Sequence, residues 1–220
     1  MTVFPARSLI VSCQAGAASA LHGPEPMARM AREAAAGGAA GIRANGPADV
    51  AAIRAAVDLP IIGIHKLGDP AGVFITPTFA AAAEVVRAGA TLVALDGTLR
   101  PRPDGTPLAA LVAVIQADLG VPVMADVDTY EAGVAARAAG ADLVATTLSG
   151  YTGGPVPAGP DLDLVTRLAS TLDCPVVAEG RYATPEQARA ALDAGAHAVV
   201  VGTAITNPAA ITRRFREATA

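Results

Sequence analysis

Two short marks alternate along the chain and constrain its architecture more tightly than any other feature. One is Gly-Ala followed by an apolar run, at Gly38-Ala39, Gly89-Ala90, Gly140-Ala141 and Gly195-Ala196. The other is an apolar residue or Cys followed by Pro and a further apolar run, at Leu59-Pro60, Val121-Pro122 and Cys174-Pro175. Each mark recurs every fifty to sixty residues or so, and the two interleave. The basic unit is therefore about half that interval, the length of one strand plus one helix.

Eight strands follow from this punctuation: Ser8–Cys13, Gly41–Ala44, Pro60–Lys66, Thr91–Asp96, Val121–Asp126, Asp142–Leu148, Pro175–Glu179 and Ala198–Gly202. Each is a short run rich in Val, Ile, Leu or Ala, too short for a helix. Alanine-rich stretches with helical spacing lie between them, at 25–36, 47–57, 78–88, 107–118, 129–139, 160–171, 184–194 and 207–218. Thr184-Pro185 and Asn207-Pro208 put a capping residue before Pro at the first helical position. Eight strand–helix units fill the 220 residues without a linker or second domain, which predicts one (β/α)₈ TIM barrel over 1–220. A doubly wound open sheet is the other arrangement of such units; even spacing favours closure.

Composition agrees. Hydrophobic residues make up 52% but aromatics only 3%, so the core is built from small and branched aliphatics, as doubly buried parallel strands require. A net charge of −4 gives no support for a nucleic-acid or anionic-membrane surface, and no apolar run reaches membrane-spanning length. The N-terminus lacks a signal-peptide layout, and Cys13 and Cys174 sit in apolar contexts without metal-ligand spacing. Buried thiols in a reducing cytoplasm are the expectation. His22, His65 and His197 do not cluster, so no metal is predicted.

In such a barrel chemistry sits at the C-terminal strand ends. Those ends read Gln14, Arg43, Lys66, Asp96, Asp126, Thr147, Glu179 and Gly202, whereas the opposite ends carry almost no charge. Lys66 is the lone lysine in a chain that otherwise uses arginine for every positive charge. A desolvated lysine can lose its proton and act as a base or nucleophile; an arginine cannot. Paired ions are a structural alternative, for Arg43 and Asp126 above all, because lone charges at a buried rim are costly. Gly180-Arg181 and Gly202-Thr203, after the last two strands, suit an anion, since this is the usual phosphate position of the fold. The long polar stretch from Thr146 to Gly154 reads equally as a lid or a connector.

These residues carry a resemblance. Ser12-Cys13-Gln14-Ala15, Gly41-Ile42-Arg43-Ala44-Asn45-Gly46, Phe74-Ile75-Thr76-Pro77-Thr78, Ala125-Asp126-Val127-Asp128-Thr129, Thr146 to Thr152, Ala178-Glu179-Gly180-Arg181 and Val201-Gly202-Thr203-Ala204-Ile205-Thr206 are, in order, similar to the bacterial N-acetylmannosamine-6-phosphate 2-epimerases. The resemblance implies a TIM barrel, commonly dimeric, that converts N-acetylmannosamine 6-phosphate to N-acetylglucosamine 6-phosphate in sialic-acid and amino-sugar catabolism. It implies Lys66 and Glu179 as the catalytic pair. It implies Gln14, Arg43, Asp126 and Arg181 as residues that contact or orient the sugar phosphate, with Gly180, Arg181, Gly202 and Thr203 at its phosphate. Two departures stand out. Leu67-Gly68-Asp69-Pro70 replaces a longer charged loop, and Gly97 replaces a more usual alanine, a change expected to matter little.

The chemistry implied needs no cofactor. Inverting C2 of a 2-acetamido sugar requires ring opening, removal of the C2 proton and its return on the other face. A Schiff-base aldolase or lyase is a competing enzyme class; such barrels usually carry their lysine on the sixth strand, where Thr146 and Thr147 stand here. A non-catalytic sugar-phosphate-binding barrel is the non-enzyme alternative.

Overall fold

The computed structural model describes residues 3–219. Strands β1 (Ser8–Cys13), β2 (Gly41–Asn45), β3 (Ile61–Ile64), β4 (Leu92–Asp96), β5 (Val123–Asp126), β6 (Leu143–Ala145), β7 (Val176–Glu179) and β8 (Ala198–Val201) are all parallel. They close into a barrel, β8 pairing back onto β1. Helices α1 (Pro24–Ala36), α2 (Pro47–Ala56), α3 (Phe79–Arg87), α4 (Leu108–Val114), α5 (Tyr130–Ala138), α6 (Leu162–Thr171) and α7 (Pro185–Asp193) alternate with the strands. After β8 come a four-residue helix, α8 (Thr203–Thr206), and then α9 (Pro208–Ala218). The eight expected units are present; α8 and a π-helical turn at Ile115–Leu119 that prolongs α4 are additional.

Helix starts are encoded locally. The side chains of Thr78, Thr129, Asp161, Thr184 and Asn207 each accept a hydrogen bond from a backbone N–H in the first turn of the helix they precede. Such caps are worth about 1 kcal/mol each.

Strand period 2 divides the core into two shells. Inside the barrel Ile10, Ile62, Ile64, Leu92, Met124 and Val177 pack together with Phe4. Between barrel and helices, Ile42, Ile53, Ile61, Val85 and Val93 form the larger outer cluster. Gly41 leaves room for Phe4, since a Cβ there would lie 2.4 Å from the Phe4 ring. Gly63 faces outward and lets α3 and the turn after it approach, because a Cβ would lie 3.1 Å from that of Val85 and 2.5 Å from that of Ala90. Gly97 is similarly constrained: a Cβ would come 2.7 Å from the Ala125 Cβ, so alanine does not fit here without a shift. The expectation that this position matters little is corrected on that ground.

Two strands end two or more residues before the sequence suggests, and both do so where the site begins. The third stops at Ile64, after which Lys66 forms an antiparallel bridge with Ile75 and Leu67 N–H donates to Phe74 O (2.9 Å). Leu67 to Phe74 is thus a hairpin. Thr76 closes it in a left-handed conformation (φ 45°), rare for a β-branched residue. It is held there by donating from Oγ1 to Ala94 O (2.7 Å) and accepting from His65 N–H (3.0 Å). The sixth strand stops at Ala145, where the Thr146 hydroxyl takes over the pairing with β7.

Candidate active site

The same period that buries the barrel interior aims the rim residues inward. Lys66 lies two positions beyond Ile64, Glu179 two beyond Val177, Asp126 two beyond Met124 and Thr147 two beyond Ala145, and all four preceding residues are inner-core. Lys66, Thr147 and Glu179 line a cavity of about 710 Å³ at the C-terminal end of the barrel. Its wall includes Gln14, Arg43, Lys66, Thr147, Glu179 and Arg181.

Arg43 is the organising charge. It is 1% exposed and grips Asp126, 0% exposed, with two hydrogen bonds, Nη1 to Oδ1 (3.0 Å) and Nη2 to Oδ2 (2.5 Å). Nη1 also lies 3.0 Å from Glu179 Oε2. Burial opposes its charge, yet the neighbouring Asp126 and Glu179 carboxylates outweigh burial and hold the guanidinium even more firmly protonated than usual. Asp126 does not line the cavity; it touches Arg43 and Thr147, so it orients rather than faces a ligand.

Glu179 shares Arg43 with Asp126 and accepts too little compensation for its burial. Desolvation first, and the nearby Asp126 second among the raising influences, push its carboxyl up to about 7 against the pull of Arg43 and Lys66. Its backbone is pinned by Thr146, whose hydroxyl donates to Glu179 O (2.9 Å) and accepts from Glu179 N–H (3.1 Å).

Lys66 completes the set. Its N–H donates to Asn45 Oδ1 (2.9 Å), and its ammonium donates to Gln14 Oε1 (2.8 Å), while Gln14 donates in turn to Ser12 Oγ (2.8 Å). Much of its surface is open, but the opening is the cavity mouth, and the amine itself is crowded by protein. That desolvation lowers its pKa, aided by Arg43 and opposed by Glu179 and Asp126. An amine pushed down and a carboxyl pushed up in one cavity are the pairing acid–base chemistry requires.

The anion-site residues Gly180, Arg181, Gly202 and Thr203 also line the cavity. Thr203 opens α8, so its amide has no acceptor within the helix. Arg181 adopts a left-handed backbone (φ 61°) and turns its guanidinium onto the loop after β6. Nε donates to Gly159 O (2.6 Å), Nη1 donates to Ser149 O, and the group lies 5.3 Å from the Tyr151 ring centre. That loop is further tied by Ser149 to Asp161 and Thr152 to Asp128, each 2.7 Å. Asp96 does not line the cavity: it accepts from Thr98 and from Arg100 Nη2 (2.7 Å), and Arg100 Nη1 braces the β3 hairpin at Ala71 O (3.0 Å). Ser12, Asn45, Arg100 and Arg214 are site-building residues that motif reasoning passed over. Strand parity marks the first two, but nothing local marks the arginines. Among the described residues no group of three or more His, Cys, Asp or Glu is placed to hold a metal.

Comparison with known proteins adds the family. Residues 27–220 match the family model NanE, described as "Putative N-acetylmannosamine-6-phosphate epimerase". The chain belongs to this epimerase family. A Cutibacterium acnes protein named "Putative N-acetylmannosamine-6-phosphate 2-epimerase" is 51% identical over 216 residues, 97% of this chain and 94% of that one. One of the same name from Caldanaerobacter subterraneus subsp. tengcongensis is 49% identical over 94% of this chain and 89% of its own length. The solved structure of the N-acetylmannosamine-6-phosphate 2-epimerase from Clostridium perfringens superposes with a TM-score of 0.92 at 44% identity, covering 96% of this chain and 93% of that one. The resemblance drawn from the motifs and the barrel predicted from the punctuation both hold.

Proposed function

We propose that the chain interconverts N-acetylmannosamine 6-phosphate and N-acetylglucosamine 6-phosphate by moving a proton at C2, within amino-sugar and sialic-acid catabolism in the cytoplasm. The observation that carries the reading is the pairing, inside one cavity of a NanE-family barrel, of the depressed Lys66 amine with the elevated Glu179 carboxyl. In this reading Glu179, protonated near neutral pH, serves the ring and C1 oxygens during opening. Neutral Lys66 removes the C2 proton of the open-chain aldehyde, and Glu179, across the barrel on β7, returns a proton to C2 on the opposite face. Arg43, fixed by Asp126, and Gln14 stabilise the enolate oxygen or the acetamido carbonyl. The phosphate sits at Gly180, Arg181, Gly202 and Thr203 and anchors a substrate whose ring must open. Four arginines, Arg43, Arg100, Arg181 and Arg214, line the cavity of a net-negative protein, with Glu179 its one acidic side chain, which favours an anionic substrate. A Schiff-base lyase or a non-catalytic barrel finds no such support in the family.

Turnover in D₂O tests this. The product carries one deuteron at C2, read by NMR or mass; product formed without label overturns the proton-exchange scheme.

The same reading takes the protein as a homodimer. Helix α9 buries none of its residues in the isolated chain and leaves Phe215 70% exposed, yet its Ala210, Ile211 and Arg214 help wall the cavity. A helix that shapes a site yet leaves a large aromatic side chain uncovered suits a second copy. Sedimentation should give twice the chain mass and Phe215→Glu should lower it; a monomeric wild type contradicts the dimer.

A further inference from the structure

Thr147 touches both carboxylates of the site, and a hydroxyl has only one proton to give. Its Oγ1 lies 2.6 Å from Asp126 Oδ1 and 3.2 Å from Glu179 Oε2. Asp126 is held by both terminal nitrogens of Arg43, a pairing that only an ionised carboxylate completes, and an ionised carboxylate can only accept. The Thr147 proton therefore points at Asp126, and 2.6 Å is the length expected of a hydroxyl donating to a charged oxygen. Only lone pairs of Oγ1 remain to face Glu179. Against an ionised Glu179 that second contact is lone pair to lone pair; against a protonated Glu179 it is a hydrogen bond in which Glu179 donates.

We propose that Thr147 is a positioning residue that places the site's carboxyl proton, donating to Asp126 and accepting from Glu179, so that Glu179 rests as the acid and Asp126 as the anion. The charged groups facing Glu179 are Arg43 from β2, Lys66 after β3 and Asp126 from β5. Arg43 argues the other way most strongly, with Lys66 behind it. Its Nη1 approaches Oε2 at 3.0 Å, but its hydrogen bonds are made to Asp126, so Glu179 receives the charge without the directed bond. Burial of Glu179 acts in the same direction as the proposed bond. Thr146 cannot substitute for its neighbour, because its hydroxyl is fully engaged with the Glu179 backbone. The hydroxyl at 147 is thus what distinguishes two carboxylates that share one arginine.

The consequence for turnover rests on the epimerase reading; the proton placement does not, and the experiment separates them. With ¹³C-carboxyl-labelled glutamate in the full chain, the Glu179 resonance is assigned by its loss in Glu179→Gln and titrated without substrate. Thr147→Val keeps the β-branched shape and removes the hydroxyl. Protonated Glu179 then loses its acceptor, and its apparent pKa falls by about 0.5–1 unit, the size of one net hydrogen bond. Thr147→Ser restores the wild-type value. A rise in Thr147→Val shows that the hydroxyl donates to Glu179 and overturns the proposal, as does no shift. Thr147→Ala supplies the same comparison if the valine protein does not fold. In an active enzyme the limb of kcat/KM that follows Glu179 deprotonation moves down with the resonance; a merely structural threonine alters rate or stability and leaves that limb in place.

Discussion

Lys66→Arg lowers kcat/KM by about 10³-fold or more, within the range that a positioned general base contributes. The substitution keeps the charge and the length, so it isolates the ability to be neutral. An amine at the end of β3 is lowered by desolvation and by Arg43, and the counter-pull of Glu179 and Asp126 leaves it depressed. A guanidinium in that place stays protonated throughout the working pH range. The pH profile gives the sign independently. Only unprotonated Lys66 can take a proton, so kcat/KM climbs as pH rises through the lysine pKa. A lowered pKa puts that climb below the 10.5 of a free lysine. Lys66 is not in the packed core, so the variant should fold as the wild type does and its circular dichroism should match. Activity within tenfold of wild type in Lys66→Arg would remove the neutral amine from the mechanism.

Much of this site was legible before any coordinates, and strand parity explains why. Once Ile62 and Ile64 are placed inward, Lys66 has no other direction to point, and the same holds for Val177 and Glu179. The barrel itself was legible because each strand–helix unit carries its own stop and start, Gly-Ala at one junction and Thr or Asn caps at others. What stayed hidden depends on closure. Ion pairing at Arg43 and Asp126 was open to the sequence as an alternative, but that Glu179 shares the same guanidinium follows from barrel stagger. Arg181 shows a different limit. Its place in the seventh loop was clear, but a left-handed backbone turns its guanidinium onto Gly159 and Ser149, a bracing role that no local pattern announces. Thr147 was read as a strand end and no more, because a bridge between two carboxylates exists only when both are in place.

Replacing Arg43 tests how much the fold itself depends on this arrangement. Arg43→Met fills similar volume without charge and leaves the fully buried Asp126 and the largely buried Glu179 facing one another without their shared cation. Removing one partner of a buried ion pair costs about 3–5 kcal/mol, because the survivor remains buried and uncompensated. For a chain of this size that corresponds to a fall in Tm of about 10 °C. The sign of the pH dependence follows from the same groups. Glu179 already titrates at about 7 with Arg43 present, and without that cation it binds a proton more readily. Below pH 6 protonation relieves the repulsion, so the deficit of Arg43→Met against wild type is largest at pH 8 and narrows toward pH 5. Arg43→Met combined with Asp126→Asn removes one of the opposed charges and recovers part of the loss at pH 8 while remaining inactive, since the enolate oxygen has lost its cation. Urea unfolding of the two variants at pH 5 and pH 8 measures this. A single variant as stable as wild type at pH 8 would mean that the carboxylates are neutral without Arg43, and that the arginine is held there for substrate alone.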